Sequence, residues 1–214
     1  MWAIVVAAGE GRRFGAQKQF ESLAGRPVLE WSVEAARSVA SGVVLVVPKD
    51  RAGDASLRKL VEGLTAGGAT RSASVRAGLE LVPEEAEFVL VHDAARPLAT
   101  TGLFESVLGA LAPGIDGAIP SLALSDTVKR VRDGLVTETL DRSELVTVQT
   151  PQAFRASVLR AAHATGAEAT DDAALLERLG RSVAVVPGEA DNLKLTSPAD
   201  LEQAATMLLA RNCS

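Results

Sequence analysis

The sequence predicts an α/β protein built on a mostly parallel sheet with helices on both faces. Three observations carry this expectation. Short apolar runs alternate with stretches of helical period along nearly the whole chain. Hydrophobic residues make up 47% of the chain and aromatics only 3%, with no Tyr, so the core is Val, Leu and Ala. Glycine-rich or charged loops follow the apolar runs directly, at the strand ends where such folds bind ligands.

The elements follow in order. Trp2–Ala7 is a short apolar run, read as a buried strand. Pro27–Ala40 repeats Leu29, Val33, Ala36 and Ala40 on one helical face. Gly42–Pro48, GVVLVVP, is a strand ended by proline. A polar helix is expected near Leu57–Leu64, then a glycine loop and a short helix ending near Leu81. Phe88–Val91 is a third strand, Leu103–Leu111 a helix, and DGAIPS a fourth strand. A helix near Ala156–Ala164 precedes strands at Ser182–Val186 and Asn192–Leu195. The last helix has Ser197 as N-cap and Pro198 in its first turn, with Leu201, Ala204, Ala205 and Leu208 inward. Residues 1–214 are thus expected to form a single domain.

Ser125–Leu145 breaks the alternation. It is polar and rich in β-formers, and Asp133-Gly134 is a two-residue hairpin signal. A lone hairpin is marginal in water, so this one leans on a second subunit or on its own domain. Composition does not choose between them.

Charge and composition exclude several classes. Lys+Arg is 22 and Asp+Glu 27, a net charge of −5, so bulk charge argues for neither nucleic acid nor anionic membrane. Any polyanion site must gather its cations locally. One cysteine, Cys213, allows no internal disulfide. No apolar run reaches membrane-spanning length and the N-terminus lacks a basic leader, so a cytoplasmic protein is expected. His92 and His163 have no metal-binding spacing, and G-x-S-x-G, H-E-x-x-H and C-x-x-C are absent. Nucleophilic catalysis and zinc chemistry lack their parts.

Three loops carry candidate chemistry. In VVAAGEGRRFGAQKQ the glycines fall at 9, 11 and 15, which fits neither a dinucleotide fingerprint nor a P-loop. What remains is a glycine turn bearing Arg12, Arg13 and Lys18, suited to cradling a polyphosphate and neutralising its charge. The bland alternative is a tight turn with solvated cations. VHDAARP puts Asp93 and Arg96 at a strand end, where one carboxylate suits Mg²⁺ held together with substrate phosphates; the alternative is a surface ion pair. In ADNLKLTSP, Lys194 sits between Leu193 and Leu195, so its charge either snorkels or points into a cleft.

Eight motifs, AAGEGRRFG…KQ, GGATRSASVRAGL, VHDAARP, DTVKR, LDR, QTPQAF, TDDA and DNLKLT, run in order from residue 7 to residue 196. Together they resemble the 2-C-methyl-D-erythritol 4-phosphate cytidylyltransferase family. The resemblance implies a Rossmann-like fold of the nucleotide-diphospho-sugar transferase type with a protruding β-hairpin arm at 125–145. It implies CMP transfer from CTP to methylerythritol phosphate with Mg²⁺ or another divalent cation, releasing pyrophosphate. Carried over by motif, Arg13 and Lys18 stabilise charge at the α-phosphate, and Lys194 holds the reacting phosphates. Ala7, Ala8, Gly9 and Gly11 line the nucleotide; Gly68, Arg71 and Ser74 surround the cytosine. Asp93 meets metal and acceptor, with Ala94 and Arg96 beside it. Thr127, Arg142, Thr150 and Thr170 serve the acceptor, Arg142 in trans from a homodimer partner's arm.

The chain departs from the family in two places. Gln17 replaces a usual proline, and the Arg13–Lys18 stretch is about two residues shorter than the family's pattern. Ala69 follows the GG pair where a polar residue is common. The chain stops at its last helix, so no fused cyclodiphosphate synthase is expected. The implied nucleophile is a phosphate-monoester oxygen, mostly ionised at neutral pH because its second pKa is about 6. No general base is needed, which fits the scarce histidines. Competing readings are ribitol-5-phosphate cytidylyltransferase, a non-catalytic CTP-binding module on the same fold and, third, a dehydrogenase.

Overall fold

The protein is described by a computed structural model over residues 1–9 and 17–212. In chain order it has β1 (Trp2–Val6), β2 (Ser22–Leu23), β3 (Arg26–Pro27), α1 (Val28–Arg37), β4 (Gly42–Val47), α2 (Ala55–Arg58), β5 (Gly63–Ala66) and α3 (Arg71–Leu79). Then come β6 (Phe88–Asp93), α4 (Thr101–Gly109), β7 (Gly117–Ala123), β8 (Val128–Arg132), β9 (Leu135–Leu140), β10 (Val146–Val148) and β11 (Gln152–Arg155). The chain closes with α5 (Ala156–Ala164), α6 (Ala173–Arg178), β12 (Val183–Pro187) and α7 (Pro198–Asn212).

One eight-stranded sheet organises the domain. β1 pairs in parallel with β4 and β6, β4 with β5, and β7 with β12. β11 is antiparallel to both β6 and β7, and β10 is antiparallel to β7. The parallel centre is apolar on both faces, as strands covered by helices must be: Ala3, Ile4 and Val5 and Val43 to Val47 are wholly buried. Alternation then sends Ala3, Val5 and Leu45 into one core with Leu29 and Val33 of α1 and Phe104 of α4. It sends Ile4, Val44 and Val46 into the other, with Val75 of α3, Leu159 of α5 and Leu176 of α6. α7 forms a third cluster, Ala204 and Leu208 packing with Leu23, Val28, Leu98 and Leu195. Among the described residues no helix is long and apolar enough to cross a membrane.

Two local expectations are corrected. The helix read near Leu57–Leu64 is the single turn α2, and Gly63–Ala66 is instead the edge strand β5. An edge strand is apolar at fewer positions, so its period is hard to see. Asn192–Leu195 is not a strand; Leu195 N–H donates to Ala95 O at 2.7 Å, outside any ladder. The strand β11 and the helix α6 escape the sequence reading, since Thr-Pro and Asp-Asp mask their short apolar runs.

The arm forms as its turn chemistry requires. Asp133 (φ 48°) and Gly134 (φ 78°) are both left-handed, the conformation of a two-residue hairpin turn. β8 and β9 form a sheet of their own, with a register irregularity between Arg130 and Val131. Val131, Leu135 and Val136 are 56%, 72% and 62% exposed.

Candidate active site

The carboxyl ends of β1 and β6, with the loop entering α3, enclose a cavity of about 500 Å³. Ala7, Ala8, Gly9, Lys18, Gly68, Arg71, Ser74, Asp93, Ala94 and Lys194 all line it. Sequence-expected nucleotide contacts are thus brought together from five segments. Gly11, Arg12 and Arg13 lie outside the described residues. The wall at α3 needs glycine: a Cβ at Gly67 would sit 2.8 Å from Ser74 Oγ and run into the Ala8 side chain. Ser74 Oγ donates to Thr70 O at 2.9 Å, and Thr70 Oγ1 in turn caps α3 by accepting from Ala73 N–H at 3.0 Å. The Lys18 ammonium donates to Leu195 O, joining the first loop to the Lys194 loop.

A second cavity, of about 260 Å³, adjoins the first. Arg96, Thr150, Thr170, Gln152 and Asp171 line it, and it shares Arg71, Asp93 and Lys194 with the first. These three form the wall between the cavities. Arg71 Nε donates to Asp93 Oδ1 at 3.1 Å, and Lys194 Nζ to Asp93 Oδ2 at 2.6 Å. Burial alone would raise the Asp93 pKa; Arg71 and Lys194 outweigh it and hold the carboxyl well below the usual range. Asp93 is therefore a carboxylate between two cations.

Behind this wall many polar groups are matched, while Arg96 Nε and Asn192 Oδ1 are buried without a hydrogen-bond partner among the described residues. His92 is fully buried; its Nε2–H donates to Arg96 O at 3.1 Å, and Thr150 Oγ1 donates to its Nδ1 at 3.2 Å. Thr150 Oγ1 also accepts from Asp93 N–H at 3.0 Å. Desolvation pushes the His92 pKa down to about 4, so the ring is neutral and structural. The Lys194 loop is held by side chains in place of a ladder: Asn192 Nδ2 donates to Thr150 O at 2.9 Å, and Arg96 NH1 to Asn192 O at 2.6 Å.

Thr127 and Arg142 line neither cavity; Arg142 NH1 donates to Ser125 O at the base of the arm. Sequence reasoning missed Gln19, Gln149, Asn192, Asp172 and His163. Gln19 is buried and its Nε2 donates to Ala7 O at 2.8 Å and Gly9 O at 3.1 Å, pinning the glycine loop. Four of these five residues, Gln19, Gln149, Asp172 and Asn192, sit inside motifs already singled out, KQ, QTPQAF, TDDA and DNLKLT, and that membership was the available signal.

Among the described residues no three His, Cys, Asp or Glu side chains cluster as a metal site. A divalent cation fits only as Mg²⁺ commonly binds, on one carboxylate with substrate phosphates and water supplying the rest. Asp93 is the carboxylate of both cavities that could serve.

The sheet, with two adjoining cavities at its strand ends divided by two cations and a carboxylate, is an α/β fold of the nucleotidyltransferase type. A sequence profile for 2-C-methyl-D-erythritol 4-phosphate cytidylyltransferase (IspD) matches residues 1–210. The enzyme of that name from Carboxydothermus hydrogenoformans is 43% identical, over 93% of this chain and 91% of that one. The crystal structure of the Thermus thermophilus enzyme superposes with a TM-score of 0.80 at 37% identity, over 97% of this chain and 98% of that one. The bifunctional enzyme IspD/IspF of Solidesulfovibrio magneticus is also 43% identical, over 96% of this chain and 56% of its own length. The chain thus spans little more than half the length of such bifunctional relatives. The chain belongs to the 2-C-methyl-D-erythritol 4-phosphate cytidylyltransferase family.

Proposed function

We propose that this protein transfers CMP from CTP to 2-C-methyl-D-erythritol 4-phosphate, giving 4-diphosphocytidyl-2-C-methyl-D-erythritol and pyrophosphate, in isoprenoid precursor biosynthesis. Family membership supports the reaction. The observation that carries the assignment of sites is the shared wall of Arg71, Asp93 and Lys194 between a larger and a smaller cavity. CTP fills the larger, with its cytosine against Gly68, Arg71 and Ser74 and its phosphates toward Ala7–Gly9. The acceptor fills the smaller, against Arg96, Thr150 and Thr170.

A phosphate oxygen of the acceptor forms the new bond to the α-phosphorus. The bond from that phosphorus to the β-bridging oxygen breaks, and pyrophosphate leaves with the electron pair. The acceptor phosphate is already ionised, so the chain supplies orientation and charge rather than a base. Lys18, Lys194 and Arg13 neutralise the charge gathering on the α-phosphate. A divalent cation carried by the triphosphate offsets its charge when bound, with Asp93 as its protein contact.

The exposed apolar strip Val131, Leu135 and Val136 supports a homodimer in which the 125–145 arm lies on the partner. Arg142, which lines neither cavity of its own chain, then serves the partner's acceptor site. Small-molecule substrates and the absence of an apolar spanning helix among the described residues fit a cytoplasmic enzyme.

The test is pyrophosphate release with Mg²⁺, pairing CTP, UTP or ATP with methylerythritol phosphate or ribitol 5-phosphate. Release restricted to CTP and methylerythritol phosphate is expected. Release with ribitol 5-phosphate instead would keep the mechanism and replace the acceptor. CTP binding without release from either would leave a binding module.

A further inference from the structure

Asp172 and His163 lie behind the site and touch neither cavity, yet both are buried, 0% and 2% exposed. A buried carboxylate is costly unless it is fully partnered. Asp172 is: Oδ2 accepts from Arg71 NH1 at 2.7 Å, and Oδ1 accepts from His163 Nε2–H at 2.8 Å. The neighbouring Asp171 does the local work of the helix start, accepting from Ala174 N–H at 3.0 Å and from Gln152 Nε2 at 3.0 Å. Asp172 is left to face inward.

The result is a continuous row, His163–Asp172–Arg71–Asp93–Lys194, running from α5 to the wall between the cavities. A guanidinium held at Nε alone can still swing about its stem. Gripped at Nε by Asp93 and at NH1 by Asp172, its plane is set. Without the second grip, Arg71 is a cation beside a triphosphate site and is free to turn toward the phosphates, taking Asp93 with it.

We propose that Asp172, itself oriented by His163, is a positioning residue that fixes the Arg71 guanidinium and thereby the Asp93 carboxylate at the boundary between donor and acceptor. This rests on the cytidylyltransferase reading above. Neither residue touches substrate, so the effect belongs to the rate of transfer more than to nucleotide affinity.

The experiment uses Asp172→Asn, which keeps shape and removes charge, and His163→Phe, which removes the grip on Asp172. In Asp172→Asn, kcat for pyrophosphate release is expected to fall on the order of 10²-fold, as for misplacement of a reacting group. Calorimetric CTP binding should keep the wild-type stoichiometry, because a merely structural defect lowers stoichiometry and kcat together. Arg71→Lys, which cannot bridge two carboxylates, should lose activity similarly, and the Arg71→Lys/Asp172→Asn double variant should be no worse than the weaker single variant. His163→Phe should fall less, and add nothing in the Asp172→Asn background. Wild-type kcat in Asp172→Asn, a parallel loss of binding stoichiometry, or multiplicative losses in the double variant would each overturn the proposal. A second measurement does not need turnover: the Arg71 Nε–H proton should exchange slowly by NMR in the wild type and faster in both Asp172→Asn and His163→Phe. Equal exchange in all three would overturn it too. A wild-type protein that releases no pyrophosphate while keeping this exchange pattern would fault the functional reading and leave the positioning role standing.

Discussion

The wall between the cavities and the hairpin arm both present cations, and they are built in opposite ways. In the wall, Arg71 meets Asp172 and Lys194 meets Asp93 across 101 positions of chain. In the arm, Lys129 meets Thr139 across 10 positions and Arg130 meets Glu138 across 8. In the wall the carboxylates Asp93 and Asp172 are buried, Arg71 is partly buried and Lys194 reaches the surface, and the charges are matched between segments distant in the chain. The arm is local and exposed, with Val131, Leu135 and Val136 uncovered in the single chain. The contrast teaches where each kind of mutation acts. On the proposed function, wall changes should alter chemistry within a folded domain, and arm changes should alter what the domain assembles with.

The sharpest test of the wall is Lys194→Ala. Asp93 keeps Arg71, so the fold should hold, while pyrophosphate release falls on the order of 10²–10³-fold in steady-state assays. A rate within about twofold of wild type would remove Lys194 from the site.

Arg142→Ala tests the arm with nearly as large an effect. If Arg142 serves the partner, mixing Arg142→Ala with Lys194→Ala subunits yields heterodimers with one intact site. Statistical mixing should then restore about a quarter of wild-type activity. No recovery on mixing would mean the arm serves its own chain and would break the contrast drawn above.

A pH series tests the burial behind the wall. His92 is held at about 4 by burial, against 6.5 when unfolded, so between those values the unfolded chain binds the extra proton. Stability contributed by the neutral ring is complete above about pH 6.5 and is lost as pH falls toward 4, by roughly 3 kcal/mol in total. Asp93 and Asp172, both lowered below their ordinary 3.8, add their losses only at more acid pH. Thermal melts from about pH 7.5 to 4.5 should show Tm falling, with a shallower slope in His92→Gln. A flat wild-type profile would mean that His92 is not the neutral, desolvated group described.

The smallest effect is expected at the arm's tip. Gly134 is at φ 78°, so Gly134→Ala should destabilise the turn by about 1 kcal/mol. Hydrogen exchange should report faster opening of β8 and β9 and no change in β1 or β4. Opening throughout the domain would mean the arm is part of the core's cooperative unit.

Much of the fold was legible because burial imposes a pattern on sequence. Val43–Val47 reads as a strand since both its faces are covered, and α1 reads as a helix since one of its faces is. The Asp133-Gly134 turn was legible because few residues tolerate its backbone. β5, β11 and α6 were not, being short or interrupted by residues with other duties. Lys194 was legible as a charge out of place, though not as part of a side-chain-anchored loop.

The sequence by itself determined the alternating architecture, the hairpin and the motif residues, because period, turn chemistry and residue type are local properties. Only the tertiary structure decided that Arg71 stands between two carboxylates, that Thr150 holds His92 and the Asp93 backbone, and that Arg142 lines neither cavity of its own chain. Those facts depend on which distant segments a sheet brings side by side, and on buried charges finding partners wherever the packing supplies them.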